Sequence, residues 1–243
     1  MLLKPGGLKS VITGSASTPF TMAGTSPSVW WDFSSAVSAW ADTAATVPAT
    51  NGFGIARIDD ASGNANNGTQ ATVGAQPLWY SAGYITTDGT DDRIGRTSYT
   101  WSDTQTIIVV LKSLSTTSTT GRLFARGSVN GIMDASGTLK WAQDEAGALV
   151  STGINIRSAA KVVTIVRSTD SDAVIRVNGV QVATFDPNAI EQTSLSIGTQ
   201  ASGVSTSPCA TQCWQMALWN RVLGSIEMSE AEHYLGAKAG LSW

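Results

Sequence analysis

Two acidic loops hold most of the residues in this chain that could do chemistry. One runs Asp59-Asp60-Ala61-Ser62-Gly63-Asn64, the other Asp88-Gly89-Thr90-Asp91-Asp92. Calcium takes six to eight oxygens at converging positions. Two such loops meeting in space would supply them from Asp59, Asp60, Asn64, Asp88, Asp91 and Asp92, together with main-chain carbonyls. Neither loop has the alternating Asp order of an EF-hand. Short Asp and Asn side chains also close their own turns by accepting from amides two residues on, and that use is the one expected here, with no cofactor required.

Nine tryptophans offer a second kind of chemistry. A planar indole stacks on the apolar face of a sugar ring as readily as it fills a core. Trp79, Trp101 and Trp141 lie at or near strand ends and are the candidates for stacking, with Asp88, Asp91 or Asp92 accepting from sugar hydroxyls. Exposure decides between platform and core, and at least two of the three are expected to be covered. In Val29-Trp30-Trp31-Asp32 the two rings must point to opposite faces of a strand, so one enters the core and the other lies under an arm or a partner. Trp214 and Trp219 read as core.

The machinery of hydrolysis is missing. A serine or cysteine nucleophile needs a base within reach, usually histidine, and the only histidine is His233. It sits among Glu230 and Glu232 in a helical stretch. Glycoside hydrolysis needs two carboxylates facing across a cleft, and no strand carries the Glu-x-Asp-x-x-Glu string of sandwich glucanases. The sequence therefore predicts a protein that is not an enzyme. Cys209 and Cys213 are too few for a disulfide framework or a zinc site and read as free, inert thiols.

The elements that must position these residues are strands. Short alternating runs recur between turn signals from Val29 onward, predicting about a dozen strands and hence two packed sheets. They include Val29 to Phe33, Gly54 to Ile58, Tyr84 to Thr87, Arg93 to Ser98, Thr104 to Lys112, Lys161 to Arg167 and Cys213 to Trp219. Asn178-Gly179 between Val177 and Val180 supplies the two positive-φ residues of a type I′ hairpin. One helix is expected over Ser225 to Ala239, with Ser225 as cap, Gly240 in the left-handed closing position and Met228, Ala231, Leu235 and Ala239 on one side. It should cover a margin of the sandwich.

Composition bounds the partners. Only 14% of the residues are charged, against roughly 25% in typical domains. Fifteen Lys and Arg are spread singly, at a net charge of -3, so no basic stripe exists for nucleic acid or anionic lipid. Pro5-Gly6-Gly7 stands where a secretory signal needs its apolar stretch, which predicts synthesis without such a signal. Residues 1–28 are rich in Gly, Pro, Ser and Thr and read as an extended arm, with one domain over residues 29–243.

The segments WWDFSSAVSAWADTAATVPAT, ITTDGTDDRI, KVVTIVRSTDSDAVIRVNGVQVAT and MALWNRVLGSIEMSEAEHYLGAKAGL resemble the concanavalin A-like, laminin-G-like jelly-roll domains found in bacteriophage virion proteins and bacterial surface proteins. The match runs from about Trp30 to Leu241. Its most specific parts are Asp88 to Asp92, Val177 to Val180 and the closing Leu218 to Leu223. The resemblance implies an all-β, two-sheet antiparallel jelly-roll sandwich. It also implies a choice between assembly and adhesion, because this sandwich hosts lectins, hydrolases and structural modules alike. The leading expectation is a virion structural protein of head or tail, made in the host cytoplasm in many copies and held to other virion proteins through residues 1–28. The alternative is a lectin-like module for a host-surface glycan, and a degenerate glycosidase comes last.

Overall fold

The computed structural model describes residues 26–116, 120–126, 130–142, 149–169, 172–186, 194–198 and 209–243. In chain order the strands are β1 Val29–Asp32, β2 Ala39–Trp40, β3 Phe53–Gly54, β4 Arg57–Ile58, β5 Gly68–Thr69, β6 Leu78–Tyr80, β7 Tyr84–Asp88, β8 Arg93–Arg96 and β9 Gln105–Ser113. They continue as β10 Thr120–Arg126, β11 Asn130–Ala135, β12 Thr138–Ala142, β13 Leu149–Asn155, β14 Lys161–Thr169, β15 Asp172–Val177, β16 Val180–Phe185, β17 Leu195–Gly198 and β18 Ala210–Trp219. One helix, α1 Ser225–Lys238, follows.

These strands form two nine-stranded sheets. The first runs β16-β15-β14-β9-β18-β7-β6-β3, with β1 continuing the edge of β18 beside β7. The second runs β13-β12-β11-β10-β17-β8-β5-β4-β2. Every pairing among the described residues is antiparallel. The chain is an all-β, two-sheet antiparallel sandwich with a short C-terminal helix. No helix among the described residues is long and apolar enough to cross a membrane.

Period-2 geometry explains the core. Along β9, Ile107, Val109 and Leu111 enter the space between the sheets, where they meet Trp31, Phe33, Ile58, Phe124, Ile165 and Leu218. Ile108 and Val110 point the other way, into a second cluster with Trp30, Val162, Ala217, Trp219, Leu223, Ala231 and Leu235. The run Ile107 to Leu111 is apolar throughout because both its faces are covered, the outer one by α1. This corrects the expected position of the helix. It packs on the outer face of the first sheet, over the central strands β14, β9 and β18, and not at a margin. The same geometry places the tryptophan pair: Trp31 is core, while Trp30 lies under α1, edge-on to Tyr234 at 6.3 Å. Trp219 is buried, and Trp214 is only partly so.

The helix starts differently from the expectation. Gly224 occupies the cap position and its N–H donates to Glu227 Oε2 at 2.9 Å, so Ser225 lies inside the first turn and caps nothing. Ala231 and Leu235 are buried, Met228 and Ala239 pack beside them, and Gly240 closes the helix at φ +72. Asn178 and Gly179, at φ 48 and 80, form the expected hairpin turn. Two expectations for strands need correction. The single strand predicted over Gly54 to Ile58 is two, because the chain crosses there from the first sheet to the second: Ile55 N–H donates to Pro77 O and Ala56 N–H to Trp40 O. Strands β11 and β13 carry no apolar alternation strong enough to announce them. Most of β13 is half-exposed or exposed because it forms the rim of its sheet.

Candidate functional site

At one end of the sandwich the first residues ahead of β1, the β4–β5 loop, the segment after β8 and the turn after β18 come together. They enclose a polar groove of about 440 Å³ lined by Ser28, Asn64, Asn66, Arg96, Ser98, Tyr99, Thr100 and Asn220. The groove exists because Asp60 organises its wall. Its carboxylate accepts from Trp30 N–H at 2.8 Å, Ser62 N–H at 3.0 Å and Asn66 N–H at 2.9 Å, pinning the β4–β5 loop to β1. Trp31 Nε1 donates to Asn66 O at 2.8 Å from the core side. Ser28 closes the adjoining wall, with its N–H on Leu218 O at 2.6 Å and its Oγ accepting from Asn220 N–H at 3.2 Å.

The side chains of the groove are oriented by the main chain. Asn66 Nδ2 donates to Ser28 O at 2.8 Å, and Asn64 Nδ2 donates to Pro27 O at 3.2 Å and to Ser62 Oγ at 3.1 Å. Their carbonyl oxygens accept no bond from any described residue, so both amides present acceptors. Ser98 and Thr100 are exposed hydroxyls. Tyr99 is buried and donates to Asn220 Oδ1 at 3.1 Å; burial pushes its phenol up to about 12 against the opposing pull of its hydrogen bonds. Arg96 Nη1 donates to Ala65 O at 3.2 Å, while its buried Nε has no partner. Such a surface offers directional donors and acceptors to a polar ligand.

Of the residues singled out from sequence, only Asn64 lines this groove. Asp59 accepts from the side chains of Trp40, at 2.8 Å from Nε1, and Arg57, at 2.7 Å from Nε, and not from a following amide, whereas Asp60 accepts from Ser62 N–H two residues on, the turn-closing use expected. Trp79 and Trp141 are corrected as sugar platforms. They are 4% and 3% exposed, Trp79 bonded through Nε1 to Phe33 O and Trp141 packed on Phe185. Two of the three indoles are therefore covered, as expected. Trp101 is half-buried just beyond the groove residue Thr100, with the Arg126 guanidinium 4.7 Å over its ring and Tyr99 edge-on at 5.0 Å.

Asp88, Asp91 and Asp92 do gather, each bringing a carboxylate oxygen within 4.8 Å of the others. Asp88 accepts from Thr90 N–H, and Asp92 accepts from Asp88 N–H. Burial first, then the charges of Asp88 and Asp91, push the Asp92 carboxyl up to about 6, with the Asp88 N–H pulling the other way. Three carboxylates are a reasonable start for a calcium shell, but the first acidic loop does not join them. Asp88 to Asp92 precede β8 and the groove follows it, at opposite ends of that strand. The anticipated meeting of these carboxylates with a tryptophan platform does not occur. Cys209 and Cys213 are free and buried, and burial raises both thiols. His233 is exposed on α1, stacked on Trp243.

Apart from Asn64, the groove residues went unnoticed in sequence because Ser, Thr and Asn carry no signal singly, and because residues 28, 64, 96 and 220 meet only through the topology. A hydroxyl-rich Arg96-Thr97-Ser98-Tyr99-Thr100 run after a strand was the one local hint.

No family model matches the chain, and no curated protein matches it in sequence. Solved structures do match in fold. Trypanosoma rangeli sialidase in complex with sialic acid is similar at a TM-score of 0.59 and 12% identity, over 75% of this chain and 31% of the sialidase. The botulinum neurotoxin serotype D ligand binding domain in complex with N-acetylneuraminic acid matches at 0.54 and 11%, over 83% of this chain and 51% of that one. The binding domain of Paraclostridial Mosquitocidal Protein 1 matches at 0.55 and 15%, over 73% and 49%. The chain thus spans about half or less of these proteins, and the likeness is one of β-sandwich fold.

Proposed function

We propose that this sandwich is a non-catalytic glycan-binding domain and that the groove beside Asn64, Asn66 and Arg96 is its site. The observation that carries the reading is the groove itself. Asn64 and Asn66 are tied by their nitrogens to main-chain or side-chain oxygens, which leaves their carbonyl oxygens as acceptors beside the exposed hydroxyls of Ser98 and Thr100, the arrangement that sugar hydroxyl groups require. Two of the fold neighbours were solved with sialic acid bound, which favours adhesion over assembly. No carboxylate lines the groove, whereas glycoside hydrolysis takes two.

A virion role lends on residues 1–28, and residues 1–25 lie outside the described residues. The structure of the segment's end, Ser28, ties it into the groove wall through Leu218 and Asn220. The named fold neighbours give the virion reading no support.

The test is a glycan array probed with the wild-type chain and with Ser98→Trp, which fills the groove from an exposed position without touching the core. The proposal expects glycan signals that the substitution removes while the melting temperature stays unchanged. Signals that survive the obstruction, or a wild-type chain that binds no glycan, defeat it.

A further inference from the structure

We infer that the groove selects sugars bearing a carboxylate and that Arg96 is the residue that reads it; this rests on the glycan-binding reading above. Of the eight lining residues, Arg96 alone carries a formal charge, and no Asp or Glu lines the groove to neutralise it. Four other arginines are closely paired. Arg57 holds Asp59, Arg157 holds Asp134, Arg176 holds Glu232 and Arg221 holds Glu227, all at 2.6 to 2.9 Å. Arg96 has no such partner among the described residues. Asp60 lies near enough for Tyr99 to feel both charges, but its carboxylate is occupied by three main-chain N–H groups.

The guanidinium is held at one corner only. Nη1 is fixed on Ala65 O, and Nε is buried with no acceptor, a costly state for an N–H group. The side bearing Nε and Nη2 is the edge that grips a carboxylate through two parallel bonds. Because Nε is buried, the guanidinium must turn about its Ala65 anchor for this edge to meet a sugar carboxylate. Asn64 and Asn66 then accept from ring hydroxyls along the facing wall. Neutral sugars use only that wall, so the charge sets the preference for one class of glycan over another.

The experiment is calorimetric titration of the full chain with lactose, with 3′-sialyllactose and with a glucuronic-acid-capped lactose. It compares wild type, Arg96→Met, which keeps the apolar stem, and Arg96→Lys, which keeps the charge without the fork. A charge-assisted pair predicts at least about tenfold tighter binding of an acidic sugar than of lactose. Arg96→Met should remove that difference, so that acidic sugars bind no more tightly than lactose does to the same variant, and Arg96→Lys should restore part of it. A response to one acid and not the other supports the inference and identifies the source of the carboxylate. Equal wild-type affinity for acidic and neutral sugars overturns it while leaving the glycan-binding reading intact, as does an acid preference that survives Arg96→Met. Failure to bind any of the three, with an empty glycan array, overturns both.

Discussion

Removing the Asp60 carboxylate should cost far more than its place in a surface loop suggests. Asp60 is 8% exposed and accepts three main-chain N–H bonds, from Trp30, Ser62 and Asn66. In Asp60→Ala the buried Trp30 N–H loses this charged acceptor, at about 1–3 kcal/mol, and the two part-buried amides lose about 0.5–1.5 kcal/mol each. The sum is about 4 kcal/mol, which for a chain of this size lowers the melting temperature by roughly 8–16 °C. Asp59→Ala is the control. Its side chain is 31% exposed in its pairing with Arg57 and accepts one further bond, from Trp40 Nε1, so its loss should cost about 1–2 kcal/mol. Urea unfolding followed by tryptophan fluorescence measures both variants. A cost below about 1 kcal/mol for Asp60→Ala, or equal costs for the two, would refute the reasoning that Asp60 fastens the groove loop to β1.

Three further outcomes are expected. Arg176 makes a two-point contact with the buried Glu232, at 2.9 and 3.2 Å. Arg176→Met should therefore destabilise by about 3–5 kcal/mol, whereas the double replacement Arg176→Met with Glu232→Leu should recover most of that loss in chemical denaturation. Asp92 holds its proton in the folded state up to about pH 6, whereas the unfolded chain releases it near 3.8. The folded state then binds more protons between those values, so this group's contribution to stability is present below about pH 4 and is lost as pH rises towards 6. Asp92→Asn should flatten that part of a stability-against-pH curve measured by urea midpoints, and an unchanged slope counts against the burial argument. Finally, Cys209 and Cys213 should react with a thiol reagent only at the rate of unfolding, since both are buried with thiols raised by that burial. Fast labelling of the native protein would show the packing around β18 to be looser than described.

Much of the sandwich was legible because local chemistry and topology agree. The Asn178-Gly179 turn needs two positive-φ residues and has them. The apolar run of β9 announced a strand, although only the helix lying on its outer face explains why the alternation disappears. Where packing overrides pattern, the reading failed. Trp79 stands near a strand end, yet period-2 geometry sends it inward with Ile85 while its neighbour Leu78 is 37% exposed. The segment from Gly54 to Ile58 looks like one strand, and only the crossing between sheets divides it. Asp60 and Asp88 close their own turns through the amides of Ser62 and Thr90, whereas Asp59 pairs with side chains instead, and Asp88, Asp91 and Asp92 cluster ahead of β8 while the groove lies at its other end. The groove was the least legible feature. Apart from Arg96 its residues are uncharged; they come from four separate segments and acquire meaning only when Asp60 draws the β4–β5 loop against β1.

The central claim, that the polar groove holds a glycan, is tested most directly by nuclear magnetic resonance titration of the chain with 3′-sialyllactose, following the side-chain amides of Asn64 and Asn66 and the Nε–H of Arg96. The account predicts saturable shifts concentrated on these three groups and on the main chain from Arg96 to Thr100. Shifts confined to Asp88, Asp91 and Asp92 at the other end of β8, or none at all, would contradict it.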